Sequence, residues 1–150
     1  MKPCINCRAL NFIKIIFKGG IRMAETIKYS LSFQVVGGTT IPITGEIYPE
    51  AYEKIKIDVP NATEDLSVNL QPDGTNMGEF LLIKSSTYGS ELTYKVNDTT
   101  ATEIILDGPH AFIGKGAVGI LDSSPETLIF SNNIGKDVTV EILLGRDATA

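Results

Sequence analysis

A glycine motif, Gly114-x-Gly116-x-x-Gly119, is the pattern in this sequence that comes nearest to a nucleotide-binding loop. Such a loop binds a dinucleotide because a helix opens directly from it and points its amino end at the pyrophosphate. Here Pro125 follows the last glycine within six residues, which leaves no room for that helix. We therefore predict that these glycines let neighbouring strands twist or bulge, and we predict no cofactor.

His110 is the only histidine of the chain, and it follows the turn-forming residues Asp107-Gly108-Pro109. A Ser/His/Asp catalytic set needs a serine nucleophile, and no nucleophile-elbow motif identifies one. A histidine-based zinc site needs further histidine or cysteine ligands. We predict that the chain is not an enzyme, and that His110 either makes a local hydrogen bond or lies at a subunit contact.

Metal chemistry has equally little support in the sequence. Cys4 and Cys7 form a single C-x-x-C pair with no second pair and no nearby histidine. A structural zinc site takes four ligands, and a redox C-x-x-C belongs to a βαβ unit, so this spacing predicts neither. The acidic residues are scattered, and Asp73 lies in a Pro-Asp-Gly turn, which explains it better than calcium does. We predict no metal site.

The first 22 residues differ sharply in composition from the rest of the chain. They hold both cysteines, five of the 13 Lys and Arg residues, and none of the 18 Asp and Glu residues. The Lys-Gly-Gly at 18–20 can be encoded by the purine-rich sequence that binds bacterial ribosomes, at an ordinary distance before the Met23 codon. We predict that translation starts at Met23, that residues 1–22 are a translated leader outside the native fold, and that residues 23–150 form one domain with a short carboxyl-terminal tail.

The charge of the chain limits its partners. The formal net charge is −5 for all 150 residues, and without the leader it is 8 − 18 = −10. An acidic surface repels phosphate backbones and anionic lipids, so we predict no nucleic-acid partner and no membrane contact. The apolar runs are also far shorter than the roughly 18 residues of a membrane-spanning helix.

Alternating apolar residues predict most of the strands. The clearest period-2 pattern occupies residues 27–35, and the pattern recurs at 55–59, 66–70, 92–96 and 138–144. Turn signals separate the strands roughly every 8–12 residues, and no window has the pattern of a long amphipathic helix. The predicted fold is all-β, an antiparallel β-sandwich of about nine or ten short strands, with jelly-roll connections as one candidate arrangement.

Three other stretches carry structural expectations. Residues 103–121 contain the densest apolar material, cut by Gly and Pro, and we expect them at the centre of the domain. Residues 49–52 are expected to form a single helical turn. Residues 80–83 are apolar without alternation, which is typical of a strand covered on both faces.

The carboxyl-terminal half, residues 80–146, combines short strands with a Leu-Ile-Phe-Ser-Asn strand at 128–132 and a closing strand at 138–146. In this pattern of short strands it resembles the small all-β virion proteins of tailed bacteriophages. The resemblance implies a capsid-decorating or tail-associated subunit, made in the bacterial cytoplasm and located in the virion. Its implied partners are copies of itself and other virion or assembly proteins.

Two functions fit a chain that offers surfaces rather than reactive groups. The first is a non-enzymatic structural or assembly protein that forms homo-oligomers, with Phe112, Leu143, His110 and Arg146 as candidate subunit contacts. Leu143 stands on the outward face of an alternating strand; both it and Phe112 are also compatible with plain core positions. The alternative is a lectin-like ligand-binding sandwich, whose candidate stacking residues are Tyr48, Tyr52, Tyr88 and Tyr94.

Overall fold

The computed structural model describes residues 25–70, 78–122 and 125–147. The predicted leader with both cysteines and the Met23 start, the turn at 71–74 and the last three residues lie outside these ranges. Within the ranges the chain forms ten strands and one helical turn. In chain order these are β1 (Ile27–Gln34), β2 (Thr40–Ile47), β3 (Ala51–Val59), β4 (Thr63–Asn69), β5 (Gly78–Ser85), β6 (Leu92–Val96), β7 (Ile104–Ile105), β8 (His110–Ile113), α1 (Lys115–Val118), β9 (Thr127–Asn132) and β10 (Val138–Arg146).

Eight of these strands form two four-stranded antiparallel sheets that pack against each other. The first sheet has the order β3-β10-β5-β8, and the second has the order β4-β9-β6-β7. Strands that are neighbours in sequence, such as β3 and β4 or β9 and β10, occupy matching positions in the two sheets, which is the arrangement of a jelly roll. The predicted all-β sandwich is confirmed, and the strand order identifies its connections.

The core lies between the two sheets and comes mainly from β5, β6, β9 and β10. Alternation places every second side chain of β10 inside, from Val138 to Leu144. Burying each large aliphatic side chain contributes about 1.5–3 kcal/mol. The largest fully buried side chains are Tyr94, Phe130, Leu70, Leu81, Ile83, Leu92, Leu106, Leu128, Ile142 and Leu144.

Residues 103–121 are not the centre of the domain, so this prediction was wrong. The stretch supplies β7 and β8, which are edge strands of the two sheets. Within it, only Leu106 and Val118 are buried. The glycines and the proline limit its strands to two and four residues, and such short strands pair on one side only. A high density of apolar residues therefore did not indicate a central position.

The expected helical turn at 49–52 is also absent. β3 begins at Ala51, which lies opposite Arg146 at the end of β10. Pro49 is buried, and its Cβ and Cγ atoms lie 3.3 Å from the position that a Cβ on Gly145 would take. Packing against β10 therefore holds this segment extended, and local propensity did not decide its structure.

The apolar run at 80–83 is covered on both faces, as predicted. Leu81 and Ile83 face the core and are fully buried. Phe80 points to the opposite, outer face of the sheet and is also buried, whereas Leu82 on that outer face is only half-buried. Another part of the chain must therefore cover the outer face near Phe80.

The glycine motif forms a turn of helix rather than the bulged strands that we expected. Gly114 has φ +93, a left-handed conformation that favours glycine, and α1 follows it. The amide of Gly119 donates to the carbonyl of Lys115 at 2.9 Å, which closes the turn. At four residues, α1 is too short to direct an amino-terminal dipole at a pyrophosphate.

Candidate interaction surface

β1 and β2 form a two-stranded sheet of their own outside the jelly roll. We call this hairpin, residues 27–47, the arm. Its antiparallel register runs from Ile27 opposite Ile47 to Gln34 opposite Thr40. Because side chains alternate between the faces of a strand, this register gives the arm one apolar and one polar face. The apolar face carries Ile27, Tyr29, Leu31, Phe33, Ile41, Ile43 and Ile47, and the polar face carries Lys28, Ser30, Ser32, Gln34, Thr40, Pro42, Thr44 and Glu46.

The apolar face of the arm loses its cover toward the tip. Ile27 and Ile47, at the base, are half-buried. Farther out, Ile43 is 43% exposed, Phe33 is 57% exposed and Ile41 is 61% exposed. Neighbouring large apolar side chains that stay exposed mark a contact site more often than a free surface. We call residues 31–43 the free half of the arm, and its apolar face is the candidate interaction surface.

The base of the arm packs on the outer face of the first sheet at Gly145. A Cβ on Gly145 would lie 2.8 Å from Cδ1 of Ile27 and 3.3 Å from Pro49. A glycine therefore lets the arm cross β10 at close range. Phe80, which is buried, stands opposite Gly145 on β5, so Ile27 and Pro49 pack beside it on the same face.

Tyr29 holds the two strands of the arm together above the base. Its hydroxyl would collide with a Cβ on Gly45, so the ring lies across the opposite strand where no side chain stands. Next to it, a cleft of about 590 Å³ separates the arm from β8. The cleft is lined by Tyr29, Glu46, Ile47, Tyr48, Glu79, Ile113, Gly114 and Lys115.

A first charge cluster lies on the arm side of this cleft. Lys28 Nζ is 3.0 Å from Glu46 Oε1, and the Tyr48 hydroxyl donates to Glu46 Oε2 at 2.6 Å. The hydrogen bond from Tyr48, followed by that from Lys28, lowers the pKa of Glu46. The same contacts raise the pKa values of Lys28 and Tyr48. All three groups face solvent, so the cluster orients the side chains but adds little stability.

A second charge cluster lies on the jelly-roll side of the cleft. Lys115 Nζ is 2.5 Å from Asp147 Oδ2 and 3.1 Å from Glu79 Oε1. These hydrogen bonds, with Asp147 contributing most, raise the pKa of Lys115. The cluster connects α1 with β5 and with the residue that follows β10. The cleft therefore contains both signs of charge in neutralising pairs.

His110 and Phe112, two of the predicted subunit contacts, have contacts inside the sandwich. His110 Nδ1 is 2.9 Å from the hydroxyl of Tyr94, which lies on β6 of the other sheet. Tyr94 is fully buried, and this burial raises its pKa well above the ordinary value. Phe112 meets the His110 ring edge-on at 6.2 Å between centroids and packs against the core. A further role of these residues at a subunit contact stays a prediction.

Leu143 and Arg146, the other two predicted contacts, lie on β10. Leu143 is half-buried and has the outward orientation that alternation predicted. It lines one shallow cleft of about 260 Å³ with Leu82 and Lys54, and another of about 350 Å³ with Tyr52 and the base of the arm. The buried Nε of Arg146 has no hydrogen-bond partner within the part of the chain that the structure describes. Their role as subunit contacts stays a prediction.

The four tyrosines considered for ligand stacking have different surroundings. Tyr48 and Tyr52 are 60% and 50% exposed. Tyr94 is buried, and the hydroxyl of the half-buried Tyr88 accepts a hydrogen bond from the amide of Ser85 at 3.3 Å. Of the four, Tyr48 and Tyr52 are thus the ones that offer ring surface to a ligand, and they line different clefts.

Residues 25–70, 78–122 and 125–147 contain neither a metal-binding cluster nor a membrane-spanning helix. Among these residues, no group of three or more His, Cys, Asp or Glu side chains is placed to hold a metal ion. No helix formed by these residues has the length and hydrophobicity needed to cross a bilayer.

The separate arm was missed in the sequence. Alternation at 27–35 predicted a half-buried strand, because the pattern does not tell which surface covers the apolar face. One signal was available: no charged residue occurs from Tyr29 to Gly45, in a chain of which 21% is charged. The uncharged stretch coincides with the arm, whose apolar face is exposed toward its tip.

No protein-family model matches the chain, and no curated protein matches it. Among solved structures, a de novo designed double-stranded β-helix, determined by solution NMR, is 14% identical in sequence. That match covers 63% of this chain and 99% of the designed chain, with a TM-score of 0.35. A likeness at this level carries no argument, so the fold assignment rests on the strand order.

Proposed function

We propose that this protein is a non-enzymatic structural or assembly protein, and that it is a capsid-decorating or tail-associated component of a tailed-phage virion. The observation that carries the proposal is the exposed apolar face on the free half of the arm, at Phe33, Ile41 and Ile43. Such a patch, backed by a polar face, favours protein contact over any reaction. The resemblance of residues 80–146 to phage virion proteins favours assembly into a virion.

The jelly roll itself is compatible with this role but does not define it. Jelly rolls form viral capsid domains, and they also form lectins and enzymes. The acidic surface suits a protein present in many copies, since a net charge far from zero keeps identical chains apart in solution. The exposed edge strand β3 carries Glu53, Lys54, Lys56 and Asp58, which oppose edge-to-edge pairing. Contact is thereby directed to the uncharged arm.

Density banding of particles from a culture that produces the protein tests the proposal. We expect peptides from residues 51–147 in the particle band, at a constant ratio to the major capsid protein. Two matched variants locate the contact: Phe33→Asp and Ser32→Asp add the same charge to opposite faces of the arm. Phe33→Asp should leave the particle band, and Ser32→Asp should remain in it. Protein that stays entirely outside particles that assemble normally would contradict the proposal.

A lectin-like binding module is the second candidate. It is favoured by the exposed ring of Tyr48 beside the 590 Å³ cleft, where Glu46, Glu79 and Lys115 supply polar groups. Sugar sites combine an aromatic platform with a few polar contacts. A glycan array would favour this function if a signal disappeared with Tyr48→Ala and persisted with Tyr52→Ala. An array without signal would rule out the lectin-like function.

A further inference from the structure

We infer that the free half of the arm binds the outer face of the β3-β10-β5-β8 sheet of a second copy of this chain, and that two copies exchange arms about a two-fold axis. The inference rests on the proposed function and names a partner for its contact surface. In such a dimer each chain gives one arm and receives one, so both contacts are identical.

The chemistry of the arm selects a partner surface with an apolar patch. The segment from Tyr29 to Gly45 has no charged side chain, and its exposed large apolar residues are Phe33, Val35, Val36, Ile41 and Ile43. Nucleic acid and anionic lipid present phosphates, for which this segment has no cation. Between two acidic chains, a neutral arm also avoids the repulsion that opposes contact elsewhere on the surface.

The outer face of the first sheet carries an apolar row between charged side chains. Leu143 on β10 lies beside Leu82 on β5, and Ala111 continues the row into β8. A shallow cleft of about 260 Å³ lies over Leu143 and Leu82. It is also lined by Lys54, Lys84 and Glu141, and Lys84 Nζ lies 3.8 Å from Glu141 Oε2. The row adjoins Gly145, where the chain's own arm already packs on the same face. The arm of a second copy would pack on the same face, next to the chain's own arm.

On its own chain the arm adjoins this row only at Leu143, which shares a cleft with Ile27 and Lys28. The cleft over Leu82 and Leu143 has no arm residue in its lining. At the base, Ile27 lies against Gly145 on β10, whereas Tyr29 and Ile47 line the cleft beside Ile113 on β8. The base of the arm thus crosses the sheet from β10 toward the edge strand β8. A single copy therefore leaves both the free half and the leucine row open to a partner.

The exposed area favours a reciprocal exchange over a single contact. Four to five side chains, each with roughly half of its surface exposed, give the free half an apolar area of about 300–400 Å². One arm-to-sheet contact would bury about 700 Å² in total, which is below the area of a stable interface. Two symmetric contacts would bury about 1,400 Å², which is within the range of specific dimers.

Light scattering of the full chain after gel filtration tests the inference, and we expect a mass of two chains. Phe33→Asp and Ile43→Asp place a charge on the apolar face and should raise the dimer Kd roughly 100-fold or more. Ser32→Asp and Thr44→Asp place the same charge on the polar face and should leave the dimer unchanged. All four sites are exposed, so every variant should keep the fold, which circular dichroism checks.

Mixing experiments test whether the exchange is reciprocal. Leu143→Asp should also break the dimer, because it charges the receiving surface. An equal mixture of Phe33→Asp and Leu143→Asp chains keeps one intact contact, between the arm of the second chain and the sheet of the first. The mixture should therefore associate more tightly than either variant alone. No gain on mixing would contradict a reciprocal exchange.

A monomer at every concentration, or any stoichiometry other than two, would overturn the inference. So would a full chain that is monomeric while a chain that starts at Met23 dimerises, because residues 1–22 would then be the occupant of the arm. A monomer that bands with particles only when Phe33 is intact would refute the exchange and leave the virion role standing. A dimer that never bands with particles would support the exchange and refute the virion role.

Discussion

β10 of the jelly roll and β1 of the arm share the same alternation and have opposite surroundings. Val140 and Ile142 on β10 are 0% and 1% exposed, because the second sheet covers them. Phe33 on β1 is 57% exposed, on a face that no second sheet covers. The difference teaches that alternation defines an apolar face, whereas packing decides whether that face becomes core or contact surface.

The two regions should also differ in how they are stabilised. A jelly-roll strand is held by neighbours on both sides and by a shared core, whereas a two-stranded hairpin alone is marginal in water. The arm therefore depends on its base, where Ile27 and Pro49 meet Gly145. This dependence leads to predictions that separate the two regions.

The largest expected effect is in the core. Phe130→Ala should lower the free energy of unfolding by about 3–5 kcal/mol, because it leaves a cavity between the sheets. Phe33→Ala, measured by urea denaturation at a concentration that favours the monomer, should change it by less than about 0.5 kcal/mol. A similar loss for the two variants would contradict the division into core and free surface.

A larger side chain at the crossing point should detach the arm from the jelly roll. Gly145→Val would force Ile27 and Pro49 away and should cost about 1–3 kcal/mol. Limited proteolysis should then cleave the arm first and leave the jelly roll intact. Gly145→Ala is the matched control: its closest neighbour is the flexible end of Ile27, so its effect should be smaller. An arm that resists protease equally in both variants would show that the base is not its anchor.

The hydrogen bond between the two sheets should contribute less to the free energy of unfolding. Tyr94→Phe removes the hydrogen bond to His110 and should cost about 1–2 kcal/mol. Because burial raises the pKa of Tyr94 above its ordinary value near 10, its contribution is complete below pH 10 and declines as the pH rises further. Unfolding of wild type and Tyr94→Phe across this range should therefore show a steeper alkaline loss for wild type. Tyr52→Phe, at an exposed site, should retain that steeper loss; equal slopes in wild type and Tyr94→Phe would contradict the assignment.

The smallest expected effects concern one turn in each region. Ala62, between β3 and β4, has φ +60, and Ala62→Gly should stabilise the jelly roll by about 0.5–1 kcal/mol. Gly37, at the tip of the arm, has φ +80, and Gly37→Ala should destabilise the arm by a similar amount. Denaturation should report the first change and local amide exchange the second. Effects of the opposite sign would contradict these backbone assignments.

Strands with one buried face could be predicted from the sequence. Residues 92–96 match β6, and the alternation at 138–144 matches most of β10, because burial of one face imposes period 2. The strand order could not be predicted, since pairs such as Val140 with Ser85 depend on packing between distant segments. The error at 103–121 has the same origin, because edge and central strands can contain the same residue types.

The candidate site could be predicted only in part. The outward position of Leu143 follows from the period of β10, and the structure places it there. The contacts of His110 and Phe112 inside the sandwich could not be derived, since they depend on Tyr94 and on the pairing of β8 with β5. The exposure of the arm has no counterpart in a single-strand pattern; the missing charges between Tyr29 and Gly45 were its only trace.

Hydrogen–deuterium exchange at several protein concentrations tests the central claim most directly, because it reads the two regions of one molecule separately. We predict that protection of amides in residues 31–43 rises with concentration, in step with the mass in solution, while protection of β10 stays constant. Exchange in residues 31–43 that is the same at every concentration, in a protein whose β10 is fully protected, would contradict the claim that the arm is a contact surface between copies.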